Sequence, residues 1–117
     1  MRYLVDDVDA AISFYQALGF VLKERWGPPF ASINFGDLEL WLAGPGTSAA
    51  RPMPDGAKPA PGGWNRLVIT VADLTATVAQ LRGAGYRFRN DIVSGPGGRQ
   101  ILVEDPSGNP VELFEPG

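Results

Sequence analysis

There is no cysteine and no histidine among the 117 residues. Without thiols the chain can form no disulfide, zinc ribbon or iron–sulfur site, and it has no thiol nucleophile. Without imidazole it has no Ser-His-Asp triad, no histidine general base, no two-histidine-one-carboxylate iron site and no histidine-held zinc. Its chemistry must come from carboxylates, amides, hydroxyls, Lys, Arg and aromatic surfaces. Long apolar runs are also missing. None approaches the roughly 20 residues that span a bilayer, and no signal peptide opens the chain, so a cytoplasmic protein with no membrane partner is expected. Charge of neither sign dominates: 10 basic residues stand against 13 acidic ones, for a net charge of −3. The loose group Arg82, Arg87 and Arg89 is the densest basic cluster. That is too little to neutralise a phosphate backbone, so nucleic acid is not an expected partner. The length suits one domain, since domains cluster at about 100–150 residues. With 44% hydrophobic and 20% charged residues the composition is that of a folded globular chain.

What is present is a repeat. Asp7 precedes a run in which Val8, Ala11, Ile12, Tyr15 and Leu18 recur at helical spacing, and Gly19 follows. Asp7 suits an N-cap and Gly19 the left-handed position after a helix. The same signals return 66 positions on: Asp73 for Asp7, Leu74 for Val8, Val78 for Ile12, Leu81 for Tyr15, Gly85 for Gly19 and Tyr86 for Phe20. Cap, stripe and stop at one offset indicate an internal duplication.

Strand patterns surround each helix. In the first half they are Arg2 to Val5, Phe20 to Arg25, Phe30 to Phe35 and Leu38 to Leu42; in the second, Arg66 to Val71, Tyr86 to Asn90, Gly98 to Glu104 and Val111 to Glu115. Turn residues separate them, including Gly36-Asp37 and the Asp105-Pro106-Ser107-Gly108-Asn109-Pro110 string. Gly95-Pro96-Gly97-Gly98 opens no helix and lacks a following Lys-Ser/Thr, so it predicts a hairpin turn rather than a phosphate loop. Each half therefore reads β-α-β-β-β. Module one covers 1–43 and module two 64–117. Residues 44–63, with five Pro and five Gly, form a linker.

The strings Phe14-Tyr15-Gln16-Ala17-Leu18-Gly19-Phe20 and Asp105-Pro106-Ser107-Gly108-Asn109-Pro110-Val111-Glu112-Leu113, with Val5-Asp6-Asp7-Val8 and Val71-Ala72-Asp73-Leu74, resemble the vicinal oxygen chelate superfamily. That group holds glyoxalase I, bleomycin-resistance proteins, extradiol dioxygenases and methylmalonyl-CoA epimerase. The resemblance implies an α+β fold: two βαβββ modules forming a curved eight-stranded mixed sheet around a cleft, with the helices on its outer face. It also implies metal-ligand positions on the first and fourth strands of each module. Carried over, the fourth-strand positions fall on Glu39 and Glu112. The first-strand position of module two falls on Arg66, and that of module one falls before Met1. A guanidinium has no lone pair to offer a metal, so neither metal nor cofactor is expected, and an extradiol dioxygenase is disfavoured because histidine is absent.

Strand alternation gives the side chains their faces. Glu39 and Trp41 oppose Leu38, Leu40 and Leu42; Glu112 and Phe114 oppose Val111 and Leu113; Arg66 and Val68 oppose Leu67 and Ile69. Faces that pair a charge with a bulky apolar group suit an organic ligand held by a few polar anchors. The expected ligand-binding set is Glu39, Trp41, Arg66, Val68, Glu112 and Phe114, with Trp26, Phe35 and Trp64 as flat walls. By the repeat, Glu39 and Glu112 are duplicates, with Arg66 near them.

The leading expectation is a metal-free binder of a small, antibiotic-like molecule, aromatic or cationic, of the bleomycin-resistance type, which would sequester a drug unchanged. The alternative is a glyoxalase-like lyase, isomerase or epimerase using Glu39 or Glu112 as base. A homodimer is also expected. Module one begins with a short edge strand and carries Trp26, Phe30, Phe35 and Trp41 within 16 residues, more aromatic surface than a small module readily covers.

Overall fold

The computed structural model describes all residues, Met1–Gly117. The chain forms two compact units, Met1–Gly62 and Gly63–Gly117. Unit one runs β1 (Arg2–Leu4), α1 (Val8–Ala17), β2 (Val21–Arg25), β3 (Phe30–Phe35) and β4 (Leu38–Ala43), followed by a short 3-10 turn at Ser48–Ala50. Unit two runs β5 (Leu67–Thr70), α2 (Leu74–Gly83), β6 (Val93–Gly95), β7 (Gly98–Glu104) and β8 (Pro110–Pro116). The eight strands make two four-stranded mixed sheets of the same topology, β1-β4-β3-β2 and β5-β8-β7-β6. In each, the first strand lies parallel to the fourth and the remaining pairs are antiparallel.

The repeated helix signals produce repeated geometry. Asp7 Oδ1 accepts from the Ala10 N–H at 3.1 Å and Asp73 Oδ1 from the Ala76 N–H at 3.0 Å. At the far ends Gly19 and Gly85 take φ of 103° and 89°, where a side chain would be strained. The Phe20 and Tyr86 N–H groups then reach back to the Tyr15 and Leu81 carbonyls at 3.0 and 3.1 Å, closing a Schellman turn in each unit. In unit one the Tyr15 and Phe20 rings meet edge to face at 5.2 Å, the apolar contact that accompanies such a stop.

The cores follow the predicted stripes. Val8, Ala11, Ile12 and Tyr15 are buried against the sheet with Ile33, Leu40 and Leu42; Leu74, Val78 and Leu81 are buried in unit two with Ile69, Ile101 and Leu113. Each large apolar side chain withdrawn from water contributes about 1.5–3 kcal/mol. Phe14 is also fully buried, edge to face with Tyr15 at 4.9 Å, although it lies off the predicted stripe.

One predicted strand is displaced. Residues 86–90 form only a bridge, Phe88 opposite Val103, and the strand at the edge of sheet two is Val93–Gly95. The bridge makes two backbone bonds, Arg89 N–H to Leu102 O and Glu104 N–H to Arg87 O. The next bond in that ladder would take the Leu102 N–H to Arg89 O, but Asn90 Oδ1 accepts it instead at 2.9 Å. A side chain thus ends the pairing, and the chain re-pairs three residues later through the predicted Gly95–Gly98 hairpin.

Candidate ligand-binding site

Sheet one has two unlike faces. Ala31 and Ile33 on β3 pair with Leu42 and Leu40 on β4 and turn with them into the helix-side core. The other face carries Ser32, Asn34, Glu39 and Trp41, with Arg2 directly opposite Trp41. Trp41 is 40% exposed and Trp26, on the β2–β3 turn, 64%. Their rings are joined through Phe30: Trp26 stacks on Phe30 at 5.3 Å with 14° between planes, and Phe30 meets Trp41 at 6.0 Å and 64°. The Arg2 guanidinium sits 5.2 Å from the Trp41 ring centre. The result is a strip of three aromatic rings ended by a cation.

The turn bearing Trp26 is held by Arg25. Its Nε donates to Gly27 O at 2.9 Å, Nη2 to Pro28 O at 3.0 Å, and Nη1 to Asp9 Oδ1 at 2.7 Å. Beside the strip, Glu39 is heavily engaged. Lys23 Nζ donates to its Oε1 at 2.8 Å, while Ser32 Oγ at 3.2 Å and Trp41 Nε1 donate to Oε2. The hydrogen bond from Lys23, then that from Trp41, holds the Glu39 carboxyl down at about 2. Asn34, opposite Glu39 in the register, has a buried Oδ1 with no hydrogen-bond donor.

In unit two the Arg66 guanidinium clasps one oxygen of Glu112, Nη2 at 3.0 Å and Nε at 3.2 Å from Oε1. Val68 lies opposite Glu112, and Thr70 opposite Phe114, on the face away from Ile69 and Leu113. Trp64 is committed elsewhere: the Arg89 guanidinium lies 4.6 Å from its ring, and Arg89 also bonds Gly63 O, Gly108 O and Glu104. A hollow of about 370 Å³ in this unit lies between the Gly85 helix stop and the Asp105–Gly108 turn, and neither Arg66 nor Glu112 lines it.

Residues 1–113 match the Glyoxalase/Bleomycin resistance protein/Dioxygenase superfamily. The chain belongs to this superfamily. An uncharacterized protein of Mycolicibacterium smegmatis is 31% identical over 115 residues, covering 95% of this chain and 86% of the relative. TnmS3, an antibiotic binding protein from Streptomyces sp. CB03234, is 24% identical with a TM-score of 0.71, covering 100% of this chain and 93% of its own. Lactoylglutathione lyase from Agrobacterium tumefaciens is 20% identical with a TM-score of 0.72, covering 98% and 90%. At these identities the two solved structures establish the shared fold.

Superfamily membership brings the metal question to particular side chains, and the donors do not fit. Arg66, where the resemblance sets a ligand, is ion-paired with Glu112. In neither unit do three His, Cys, Asp or Glu side chains come together as a metal-binding group. The register also corrects the assumed duplication of Glu39 and Glu112. Glu112 lies opposite Val68 on the first strand of its unit. Val68 repeats Arg2 at the 66-residue offset, and Arg2 lies opposite Trp41. Trp41 is therefore the structural equivalent of Glu112, and Glu39 lies two residues before it on the same face.

The contacts place two further residues of the expected set. Phe35 turns to the helix side of sheet one, 5.3 Å from the Phe20 ring and under Gly19; strand alternation sets it opposite the Glu39–Trp41 face. Trp64 stacks on Arg89 rather than on another ring. Lys23, Ser32 and Asn34 escaped the sequence reading as partners of this face. The alternation of Ser32 and Asn34 with Ala31 and Ile33 was the available signal.

Proposed function

We propose that this superfamily member binds a planar organic molecule, of the aromatic or cationic antibiotic-like class, on the Trp26–Phe30–Trp41 strip and releases it chemically unchanged. The observation that carries this reading is the exposed, pre-stacked strip itself. Trp26 stands largely in water and Trp41 partly so, on a face where a globular protein gains nothing from leaving them uncovered. Flat rings bind flat ligands through stacking, and the turn clamp by Arg25 reduces the ordering cost of binding. TnmS3, with the same fold, is named as an antibiotic binding protein, which supports the same class of ligand. Arg66, Glu112, Val68 and Phe114 form a second polar-apolar group in the other unit.

The lyase, isomerase or epimerase alternative requires a carboxylate that takes a proton. Glu39, held near 2 by Lys23 and Trp41, is a weak base at neutral pH. Glu112 has one oxygen occupied by the Arg66 guanidinium. The homodimer belongs to this proposal too: Val21, Leu22, Trp26 and Val68 are large apolar side chains left exposed in the single chain. The test is a thermal-shift and calorimetric screen of planar aromatic compounds, followed by chromatography of the recovered ligand. Binding with intact recovery is expected; recovery of a modified product overturns the reading.

A further inference from the structure

We infer that the Glu39 carboxylate, flanked by Asn34 and Trp41, is an ammonium-binding site that Lys23 of the same chain fills until an amine-bearing ligand displaces it. The inference rests on the proposed ligand-binding reading of this face and names the ligand class further: a planar ring carrying a protonated amine.

Four features point to it. The two oxygens of Glu39 are used differently. Oε2 is fixed by Ser32 Oγ and Trp41 Nε1, both of which hold it in place against the sheet, whereas Oε1 receives only Lys23 Nζ. The fixed half orients the carboxylate beside the Trp41 ring, and the other half presents a lone pair to whatever cation is at hand. Second, Lys23 is a poor permanent occupant. Its side chain is 47% exposed, and a long flexible lysine in water gains little from one ion pair. Third, Lys23 is the extra residue of a β-bulge between Leu22 and Glu24. Alternation from Val21, which lies opposite Asn34, sets Lys23 on the aromatic face, and the bulge leaves it without a paired backbone neighbour of its own. Fourth, Asn34 Oδ1 is buried without a donor. It stands directly across the strand pair from Glu39, where facing side chains lie within about 5 Å. An ammonium carries three donors. Seated at Oε1 without the lysine tether, a ligand amine keeps a donor for Glu39 and is free to approach the amide oxygen that the Lys23 ammonium leaves unmet, with its ring along the Trp41 edge.

The test uses 1-naphthylmethylamine, protonated at pH 7, and its neutral analogue 1-naphthalenemethanol, titrated calorimetrically into the full chain and three variants. Lys23→Met should raise the amine-to-alcohol affinity ratio about tenfold, the scale of one freed charge-assisted bond. The double variant Lys23→Met/Glu39→Gln should lose that gain. Lys58→Met, which removes an exposed lysine of the linker, should not produce it. An unchanged amine-to-alcohol ratio in Lys23→Met, a gain that survives Glu39→Gln, or an equal gain in Lys58→Met overturns the inference and leaves the ligand-binding reading standing. Binding of neither probe by any variant overturns both. Thermal unfolding of each variant verifies that it is folded.

Discussion

Replacing Trp26 by Ala separates the role of the aromatic strip from its place in the fold. Trp26 is 64% exposed, and its ring stacks on one other, that of Phe30 at 5.3 Å. The folded chain therefore loses one exposed ring contact, worth about 0.5–1.5 kcal/mol. For a chain of 117 residues, between the roughly 4–8 °C per kcal/mol of 60–100-residue domains and the roughly 2–4 °C of 150–250-residue ones, that lowers the unfolding midpoint by a few degrees. A planar ligand loses about twice as much. Removing an aromatic wall from a stacked ring costs about 1–3 kcal/mol in related stacking sites, so affinity should fall roughly tenfold or beyond. Trp64→Ala is the matched control, because Trp64 is 69% exposed but covered on one side by Arg89. Calorimetric titration with a planar aromatic ligand, beside thermal unfolding of both variants, reads the two quantities separately. Equal affinity in Trp26→Ala and the parent protein, or an equal loss in Trp64→Ala, would refute the assignment of the strip.

Other consequences can be measured on the same material. Because the folded Glu39 pKa lies near 2, below its ordinary value of 4.5, its contribution to stability is complete above about 4.5 and disappears as pH falls toward 2; chemical unfolding between pH 2 and 6 should show parent and Glu39→Gln converging at the acid end, and a constant gap would contradict this. Gly85→Ala should cost about 1–2 kcal/mol, the strain of a Cβ in the left-handed region, because nothing else lies within 4 Å. Gly19→Ala should cost more, since its Cβ would also press on the Phe35 ring at 3.2 Å; denaturant midpoints that rank the two the other way would be inconsistent with that packing. Light scattering at micromolar concentration should give about twice the 12.5 kDa chain mass, and a monomer would remove the homodimer from the proposal.

Much of the fold was readable because its signals are local. Asp7 and Asp73 cap through bonds three residues long, and Gly19 and Gly85 stop helices through their own backbone conformation. No distant partner was needed to recognise either. The second-strand position of unit two was misplaced because its fate depends on Asn90, whose amide oxygen captures the Leu102 N–H. Nothing in the alternation of residues 86–90 reveals that competition. The site was readable as a face and not as a register. Leu38-Glu39-Leu40 and Val111-Glu112-Leu113 look alike as strings, yet pairing with the first strands aligns Trp41, not Glu39, with Glu112. Strand pairing is a non-local choice, and a shift of two residues keeps every side chain on its face, so hydrophobic pattern alone cannot distinguish the two alignments. The bulge at Lys23 was hidden for the same reason.

The central claim is that ligand lies on the strip in unit one. Trp26, Trp41 and Trp64 are the three indoles of the chain, so a two-dimensional NMR spectrum resolves one Nε1–H signal for each, assignable by single Trp→Phe variants. Titration with 1-naphthalenemethanol should shift the Trp26 and Trp41 signals together along one binding curve, leave Trp64 in place, and return the alcohol's own spectrum unaltered. Movement of Trp64 alone, or of none of the three while calorimetry reports binding, would contradict the account.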